Sequence, residues 1–231
     1  MNKIYIGFDS RETIASEVCE FSLKKNCKIF LEINHLRSED LRKKKIYKRK
    51  EDKRGSTEFT FTRFLVPLLN NYKGWALYCD SDFLWLDDVT NLFSLRDDKY
   101  AVMCVQHKYN PKNTKKKLSS VQEIYPRKNW SSLILWNCAH RSNKIVDSEM
   151  VNTQTGKFLH GFGWLNNDEI GKISLEWNWL IGWHDEQMDG KPKALHFTEG
   201  GPWLGSPYDK GKYSTFWIDY LKKYNAVNEK K

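Results

Sequence analysis

Short apolar runs alternate with amphipathic segments along much of the chain, and this pattern predicts a sheet covered by helices. Trp75–Cys79 is the clearest strand, because uncharged apolar and aromatic residues in a row are typical of a strand buried on both faces. Further strands are predicted at 3–8, 28–33, 101–105, 132–136, 172–177 and 194–197. Helices are predicted at 10–25 with Ser10 as the cap, and at 38–45, 57–71, 89–95, 147–153 and 213–224. The alternation indicates an α/β protein with a mostly parallel central sheet, followed by an α+β C-terminal part.

The length of 231 residues predicts one domain, since no linker or repeat interrupts the pattern. We expect residues 1–106 to form a nucleotide-binding half and residues 107–210 an acceptor half that completes a metal site. Residues 211–231 would form a C-terminal helix and tail. The five cysteines contain no C-x-x-C pair, which favours free thiols in a reducing cytoplasm. A strand pattern starts directly at the N-terminus, so no signal peptide is predicted, and no apolar run reaches the ~20 residues of a membrane span.

The formal net charge of +9 is concentrated in two basic segments, 42–54 and 112–117. Such segments can contact an anionic membrane surface or an acidic glycan, or can simply be solvated loops. No nucleic-acid-binding motif accompanies them, so we expect no specific nucleic-acid partner. The predicted location is therefore cytoplasmic, with peripheral membrane contact as an option.

Two carboxylates, Asp80 and Asp82, follow the buried strand 75–79 directly. The carboxyl ends of strands are where open α/β sheets present ligand sites. Aspartates one residue apart in a turn can direct their oxygens at one hard cation, and such a cation can hold a diphosphate. The alternative interpretation is a turn in which Asp80 caps the next helix.

A histidine near the C-terminus ends a short apolar segment and precedes two glycines, in the order His196, Gly200, Gly201. An imidazole and bare backbone amides in this arrangement can approach a phosphate or a metal ion. The alternative is a buried histidine held by a structural hydrogen bond.

Together these segments resemble the metal-dependent GT-A glycosyltransferases, most closely a family-8-like arrangement. The resemblance covers about residues 3–205 and rests on four pieces in order: Ile4–Asp9, Phe59–Pro67, Trp75–Trp85, and Leu195-His196 with Gly200–Trp203. The chain departs from the family pattern at three places. Gly201 stands where relatives carry a lysine, Asn129-Trp130-Ser131-Ser132 replaces an Asn-Ala-Gly turn, and an Asp-Gln pair has only Asp168-Glu169 as its nearest counterpart. We therefore expect a divergent member.

The resemblance implies a role for each matched position. Asp80, Asp82 and His196 would bind Mn²⁺ or Mg²⁺. Asp168 and Glu169 are the candidates for the catalytic base. The donor nucleotide would be contacted by Phe8, Asp9, Arg11, Arg63, Asp80, Ser81, Ser131, Ser132, Gly200 and Gly201.

The function expected from the residues and the resemblance is transfer of a sugar from a nucleotide-diphosphate sugar, with a UDP-sugar favoured. The acceptor would be a hydroxyl of a glycan, a lipid-linked sugar or another molecule. Two alternatives remain: a sugar nucleotidyltransferase, although a glycine-rich phosphate loop after the first strand is lacking, and a non-enzymatic basic domain that binds polyanions. Metal-independent, salt-sensitive binding would favour the last.

Overall fold

The structure is a computed structural model, and it describes residues 2–50, 57–108 and 127–229. Its strands are β1 (Asn2–Gly7), β2 (Leu31–Leu36), β3 (Trp75–Cys79), β4 (Phe83–Trp85), β5 (Val102–Val105), β6 (Leu133–Asn137), β7 (Ile170–Ile173), β8 (Trp179–Leu180) and β9 (Ala194–His196). Its helices are α1 (Thr13–Asn26), α2 (Ser38–Lys43), α3 (Val66–Leu69), α4 (Val89–Phe93), α5 (Ser148–Thr153), α6 (Gly156–His160), α7 (Glu186–Asp189) and α8 (Lys212–Asn228). Single 3₁₀ turns precede several of these elements.

Six strands form the central sheet in the order β2-β1-β3-β6-β5-β7. Only β6 runs against its neighbours, since β1 pairs in parallel with β2 and β3, and β5 in parallel with β7. The predicted mostly parallel α/β sheet is therefore confirmed. Strands from both predicted halves of the chain share this sheet, while the division into halves stays a prediction.

Both faces of the central sheet are covered, which explains the absence of charge in β3. Tyr78 points to a core that α3, α5 and α6 cover, whereas Leu77 points to a core that α1 and α4 cover. Alternate residues of a strand face opposite sides, so a strand between two helical layers needs apolar residues at every position. The buried strand β3 therefore holds the residues that follow it in a fixed position.

A second, three-stranded sheet has the order β4-β9-β8. Antiparallel pairing of β4 with β9 places Phe83 opposite His196, and β8 runs parallel to β9 on its other side. Helix α8 packs over this sheet through Trp217, beside Val18 of α1. This small sheet connects the turn after β3 with a segment more than a hundred residues further along the chain.

Several predicted elements differ from those observed. Strand β2 starts at Leu31 rather than at residue 28, and Ile29 and Phe30 before it are exposed. The helix predicted at 57–71 is a 3₁₀ turn at Thr62–Leu65 followed by α3, with Pro67 near the start of α3, where its missing N–H is tolerated.

Helix α1 has no side-chain cap, so the cap predicted at Ser10 is wrong; that hydroxyl donates to Glu58. Strand β7 lies at Ile170–Ile173 instead of 172–177. The pattern did not predict α6, α7, β4 or β8 as separate elements.

The basic segment 42–54 is described only as far as residue 50, and the second basic segment, 112–117, lies outside the described residues. Arg49 donates to the carbonyl oxygens of Val151 and Gln154, and its guanidinium lies 3.8 Å from the centre of the Phe61 ring. This part of the basic segment is thus packed against the end of α5. All five cysteines lie in the described residues as free thiols. In the described ranges, no helix combines the length and apolar character needed to cross a bilayer.

Candidate metal centre

The turn between β3 and β4 brings both carboxylates of the Asp-x-Asp sequence to the carboxyl end of β3. The backbone N–H of Asp80 donates to the carbonyl oxygen of Ser132 at 3.0 Å, which ties the turn to the start of β6. The carbonyl oxygen of Asp82 accepts from the N–H of Phe197 at 3.0 Å, which continues the ladder between β4 and β9. Backbone pairing from both sheets therefore fixes the position of each carboxylate.

Asp80, Asp82 and His196 each offer a ligand atom, and these atoms all lie within 4.8 Å of one another. Nε2 of His196 lies 3.4 Å from Oδ1 of Asp82. The side chain of His196 is only 3% exposed, and that of Asp82 is 20% exposed. The sequence predicted that the two acids and the imidazole share a metal ion. In the structure these three groups lie side by side, although His196 is far from the acids along the chain.

A chain of buried hydrogen bonds sets the orientation of the His196 ring. The Ser132 hydroxyl donates to the carbonyl oxygen of Asn129 at 2.7 Å, so its oxygen accepts from the side-chain amide of Asn178 at 2.9 Å. That leaves the side-chain oxygen of Asn178 to accept from Nδ1–H of His196, also at 2.9 Å. With Nδ1 held as the donor, Nε2 is the ring atom that faces Asp82 and can bind a metal ion when it carries no proton.

The cluster fits a divalent cation. Oδ1 of Asp82 is buried and makes no hydrogen bond within the described residues. A buried polar atom without a partner is costly, and a bound ion is one of the usual reasons why such an atom occurs. Two carboxylates with one imidazole suit Mn²⁺, and the carboxylate oxygens also suit Mg²⁺.

Arg63 supports the cluster from the interior. Its Nη1 lies 2.8 Å from Oδ1 of Asp80 and donates to the carbonyl oxygen of Ser131 at 2.8 Å. The Tyr78 hydroxyl donates a hydrogen bond to the same Asp80 oxygen at 2.7 Å. The guanidinium is almost fully buried. These contacts orient Asp80 and leave its second oxygen for a ligand.

The two carboxylates differ electrostatically. Burial raises the pKa of Asp80, and the nearby Arg63 only partly opposes this. Burial also acts to raise the pKa of Asp82, but His196, the backbone N–H of Asp82 itself and the charge of Arg63 together outweigh it, and the net pKa is lowered. Asp82 therefore holds its charge more firmly than Asp80, as a direct cation ligand requires.

The residues predicted to contact the nucleotide follow β1, which lies next to β3 with Ile6 opposite Cys79. Asp9 is buried and accepts from Nε and Nη2 of Arg11 at 2.8 and 2.6 Å, and from the backbone N–H of Glu58 at 3.2 Å. Burial acts to raise the pKa of Asp9, but these hydrogen bonds outweigh it and lower the pKa. Phe8 is buried beneath the guanidinium of Arg37, at 3.6 Å.

The remaining predicted contact residues surround the same turn. Ser81 is buried between the two aspartates, and the Ser131 hydroxyl is within 2.7 Å of Nδ1 of His160. The N–H of Gly200 donates to the Phe197 carbonyl oxygen at 2.8 Å, so it closes a turn.

A Cβ on Gly201 would lie 2.0 Å from the Trp203 ring. Packing against the indole thus requires a glycine at this position.

Asp168 and Glu169 lie elsewhere. They form a turn at the amino end of β7. Strand β7 runs in the same direction as β3, and Asp80 follows the carboxyl end of β3, so the turn and Asp80 lie at opposite ends of the strands. The Glu169 carboxylate accepts from the Ser142 hydroxyl and from the backbone N–H of Asn166. The structure does not bring these acids to the cluster, and their catalytic role stays a prediction.

Sequence reasoning missed Asn178 as a residue of the site. It is fully buried between Trp177 and Trp179, and an amide in an apolar, aromatic run must have hydrogen-bond partners. This need for hydrogen-bond partners could have marked Asn178 in the sequence, although it does not show which residues the partners are.

Comparison of the sequence with known proteins identifies one curated relative. Protein CDI of Arabidopsis thaliana is 47% identical over 231 residues, covering 99% of this chain and 89% of that protein. The chain belongs to the same family as Protein CDI. No family model matches the chain.

Several glycosyltransferases are among the solved structures that share this fold. The apo form of the glycosyltransferase GlyE of Streptococcus pneumoniae TIGR4 matches with a TM-score of 0.62 at 15% identity, over 99% of this chain and 63% of GlyE. The chain thus spans less than two thirds of GlyE. The galactosyltransferase LgtC, in complex with donor and acceptor sugar analogues, matches with a TM-score of 0.59 at 14% identity, over 96% of this chain and 95% of LgtC. The chain therefore has the GT-A fold.

Proposed function

We propose that the protein is a metal-dependent glycosyltransferase. It would move a sugar from a nucleotide-diphosphate sugar, with a UDP-sugar favoured, to a hydroxyl of a glycan, a lipid-linked sugar or another acceptor. Asp80, Asp82 and His196 would hold Mn²⁺ or Mg²⁺. The observation that carries the proposal is the convergence of these ligand atoms within 4.8 Å at the carboxyl end of β3.

The chemistry of such a transfer calls for this arrangement. As the bond between the anomeric carbon and the diphosphate breaks, negative charge grows on the departing oxygen. A bound divalent cation would supply positive charge opposite the two phosphates. The residues of the chain do the positioning: Arg63 and Tyr78 orient Asp80, and Asn178 orients His196.

The end of β1 would receive the nucleotide. Asp9 is buried and charged and holds the guanidinium of Arg11, which is 62% exposed and can donate to a base, a ribose or a phosphate. The donor and acceptor sugar analogues bound to LgtC, a protein of the same fold, support a nucleotide-sugar donor and a sugar acceptor here. We also propose a reducing compartment such as the cytoplasm, because the cysteines are free thiols.

The test is a thermal-unfolding screen of UDP and GDP, each with and without Mn²⁺. We expect stabilisation that needs both ligands, of about 5–10 °C when the nucleotide is present at about 100 times its dissociation constant. Asp82→Asn, which keeps the shape of the side chain and removes its charge, should abolish the metal-dependent shift.

Asp219→Asn is the matched control, since the same change is made at an exposed position on α8. It should leave the shift unchanged. Nucleotide stabilisation that is indifferent to Mn²⁺, or a full metal-dependent shift in Asp82→Asn, would contradict the proposal. Release of UDP from a UDP-sugar in the presence of an acceptor would then identify the reaction.

A further inference from the structure

Two adjacent apolar side chains are exposed at the amino end of β2. Ile29 is 56% exposed and Phe30 is 74% exposed, although the sequence pattern predicted both inside a strand. Strand β2 begins only at Leu31, which lies next to Asn2 of β1. Because β1 and β3 run parallel to β2, the exposed pair lies at the end of the central sheet opposite to Asp80, which follows the carboxyl end of β3. The pair therefore lies outside the candidate metal centre.

Hydrogen bonds hold the backbone that carries the exposed pair. The side-chain amide of Asn26 donates to the carbonyl oxygen of Trp85 at 2.8 Å and to the Tyr220 hydroxyl at 2.9 Å, so the end of α1 is tied to β4 and α8. Directly after the pair, Leu31 is buried in the core between α1 and the central sheet. The exposure of the pair therefore belongs to a segment that is fixed at both ends.

Two further apolar side chains are exposed at the same end of the sheet. Leu95 lies in the loop before β5, and this loop accepts a hydrogen bond from the indole N–H of Trp75, the first residue of β3. Ile145 lies beside Lys144, whose ammonium donates to the carbonyl oxygen of Tyr72 just before β3. Half of the large apolar side chains that are exposed in the described part of the chain thus lie at this end of the sheet.

The charges within residues 24–30 are all positive. The three lysines of this segment are exposed, and the segment contains no acid. Lys24 forms an ion pair with Glu20. Lys25 and Lys28 form no ion pair with any of the described residues, so their charges are available to a partner. The exposed apolar pair is therefore flanked by positive charge.

Exposed apolar side chains beside lysines fit an anionic membrane surface better than a protein partner. At a bilayer interface, apolar side chains enter the boundary between headgroups and acyl chains, while lysines attract anionic lipids. Protein–protein interfaces, in contrast, are depleted in lysine. The neighbouring loop 94–100 has two basic and two acidic residues, so the positive charge is concentrated at residues 24–30.

We propose that residues 24–30 dock the protein on an anionic bilayer, with Ile29 and Phe30 entering the interface and Lys25 and Lys28 contacting the lipid headgroups. Strand β3 has five residues and, at about 3.3 Å per residue, separates the two ends of the sheet by roughly 17 Å. The candidate metal centre would therefore face away from the bilayer. The proposal does not depend on the proposed function.

The test is co-sedimentation of the full chain with vesicles of phosphatidylcholine, with and without phosphatidylserine. The parent chain should bind the vesicles that contain phosphatidylserine with a dissociation constant of about 0.1–1 mM accessible lipid, no tighter than a single myristoyl chain. High salt should weaken this binding, because it screens the lysine charges. Phe30→Ser should weaken it about tenfold. Lys25→Gln and Lys28→Gln should each weaken it about fivefold.

Two exposed positions elsewhere provide the matched controls. Val227→Ser removes an apolar side chain that is 47% exposed near the end of α8. The Tyr224 hydroxyl donates to Glu17 in the first half of α1, so this end of α8 lies away from residues 24–30. Lys157→Gln removes the charge of an exposed lysine on α6. Both control variants should bind vesicles as the parent does.

Failure of the parent chain to bind, or equal binding to vesicles without phosphatidylserine, would overturn the proposal. Parental binding by Phe30→Ser would overturn it as well. Analytical ultracentrifugation tests the other occupant of this surface. Dimers of the parent that Phe30→Ser abolishes, together with no vesicle binding, would show that the surface is a contact between two copies of the chain. Phe30→Ser should keep the metal-dependent nucleotide shift of the parent, which separates a loss of membrane binding from a loss of the fold.

Discussion

Replacing Asn178 tests whether a residue outside the proposed set of metal ligands nevertheless controls metal binding. In Asn178→Leu the side chain keeps its branching at Cγ and loses both hydrogen bonds, to Nδ1 of His196 and to the Ser132 hydroxyl. The ring then has two options in its buried position. It can keep the proton on Nδ1 without an acceptor, or it can move the proton to Nε2, the atom that would bind the metal.

Either option opposes metal binding by a similar amount. An unsatisfied buried donor costs about 1–3 kcal/mol. Loss of a partner that orients a metal-binding histidine typically weakens metal affinity by about 10- to 100-fold, which corresponds to about 1.4–2.7 kcal/mol. We therefore expect Asn178→Leu to bind Mn²⁺ about 10- to 100-fold more weakly than the parent. Asn178→Asp retains an acceptor for Nδ1–H and should recover much of the affinity.

The measurement is a titration of free Mn²⁺ followed by electron paramagnetic resonance, in the presence of UDP and without turnover. The ¹⁵N shifts of His196 in the metal-free protein report independently which nitrogen carries the proton. Asn143→Leu is the matched control, because Asn143 is equally buried and hydrogen-bonded but binds the carbonyl oxygens of Ala101 and Asn137. Parental Mn²⁺ affinity in Asn178→Leu, or an equal loss in Asn143→Leu, would refute the reasoning.

Two further predictions concern stability. Gly201→Ala should destabilise the fold by about 1–3 kcal/mol, because the new Cβ would lie 2.0 Å from the Trp203 ring. Gly156→Ala is the control and should be tolerated, since the nearest atom to its Cβ would be at 3.4 Å. Chemical denaturation of both variants measures the difference in the free energy of unfolding. The hydrogen bond from His35 is the main reason that the pKa of Glu20 falls from 4.5 to about 2. The ionised Glu20 therefore stabilises the folded state fully above pH 4.5, and this stabilisation is lost as the pH falls through 2. Denaturation across this acid range should show the stability difference between parent and Glu20→Gln shrinking as the pH falls, and a constant difference would contradict the assignment.

The central sheet and the acidic turn could be predicted because their signals are local. An uncharged run such as β3 has to be buried on both faces, and acids that follow it directly have to emerge at its carboxyl end. Two of the three strands of the small sheet gave no such signal. Strand β4 has three residues and β8 has two, which is too short for any periodicity to be recognised. His196 was singled out because it ends a short apolar segment before two glycines, and its role as a metal ligand was what the resemblance implied.

The orientation of the proposed metal ligands depends on pairings that no local pattern contains. Asn178 donates a hydrogen bond to the Ser132 hydroxyl only because β6 and β8, which lie in different sheets, pack close to each other. For the same reason the helix predicted at 57–71 is shorter in the structure. Arg63, in the middle of that segment, turns inward to Asp80 and to the Ser131 carbonyl oxygen. Tertiary contacts outweighed the helical spacing there.

The cluster lies where the two sheets meet, and this location has a mechanical consequence. Asp80 extends the large sheet, whereas Asp82 and His196 flank paired strands of the small sheet. Phe83 stacks on the His196 ring at 4.5 Å with an angle of 21°, so it fixes the plane of the ring, while Asn178 fixes which nitrogen faces the acids. Because Asp80 belongs to one sheet and the other two groups to another, a shift of the sheets against each other would change the spacing of the cluster. Apolar contacts such as that of Phe83 therefore contribute to the geometry of the proposed metal centre together with the polar ones.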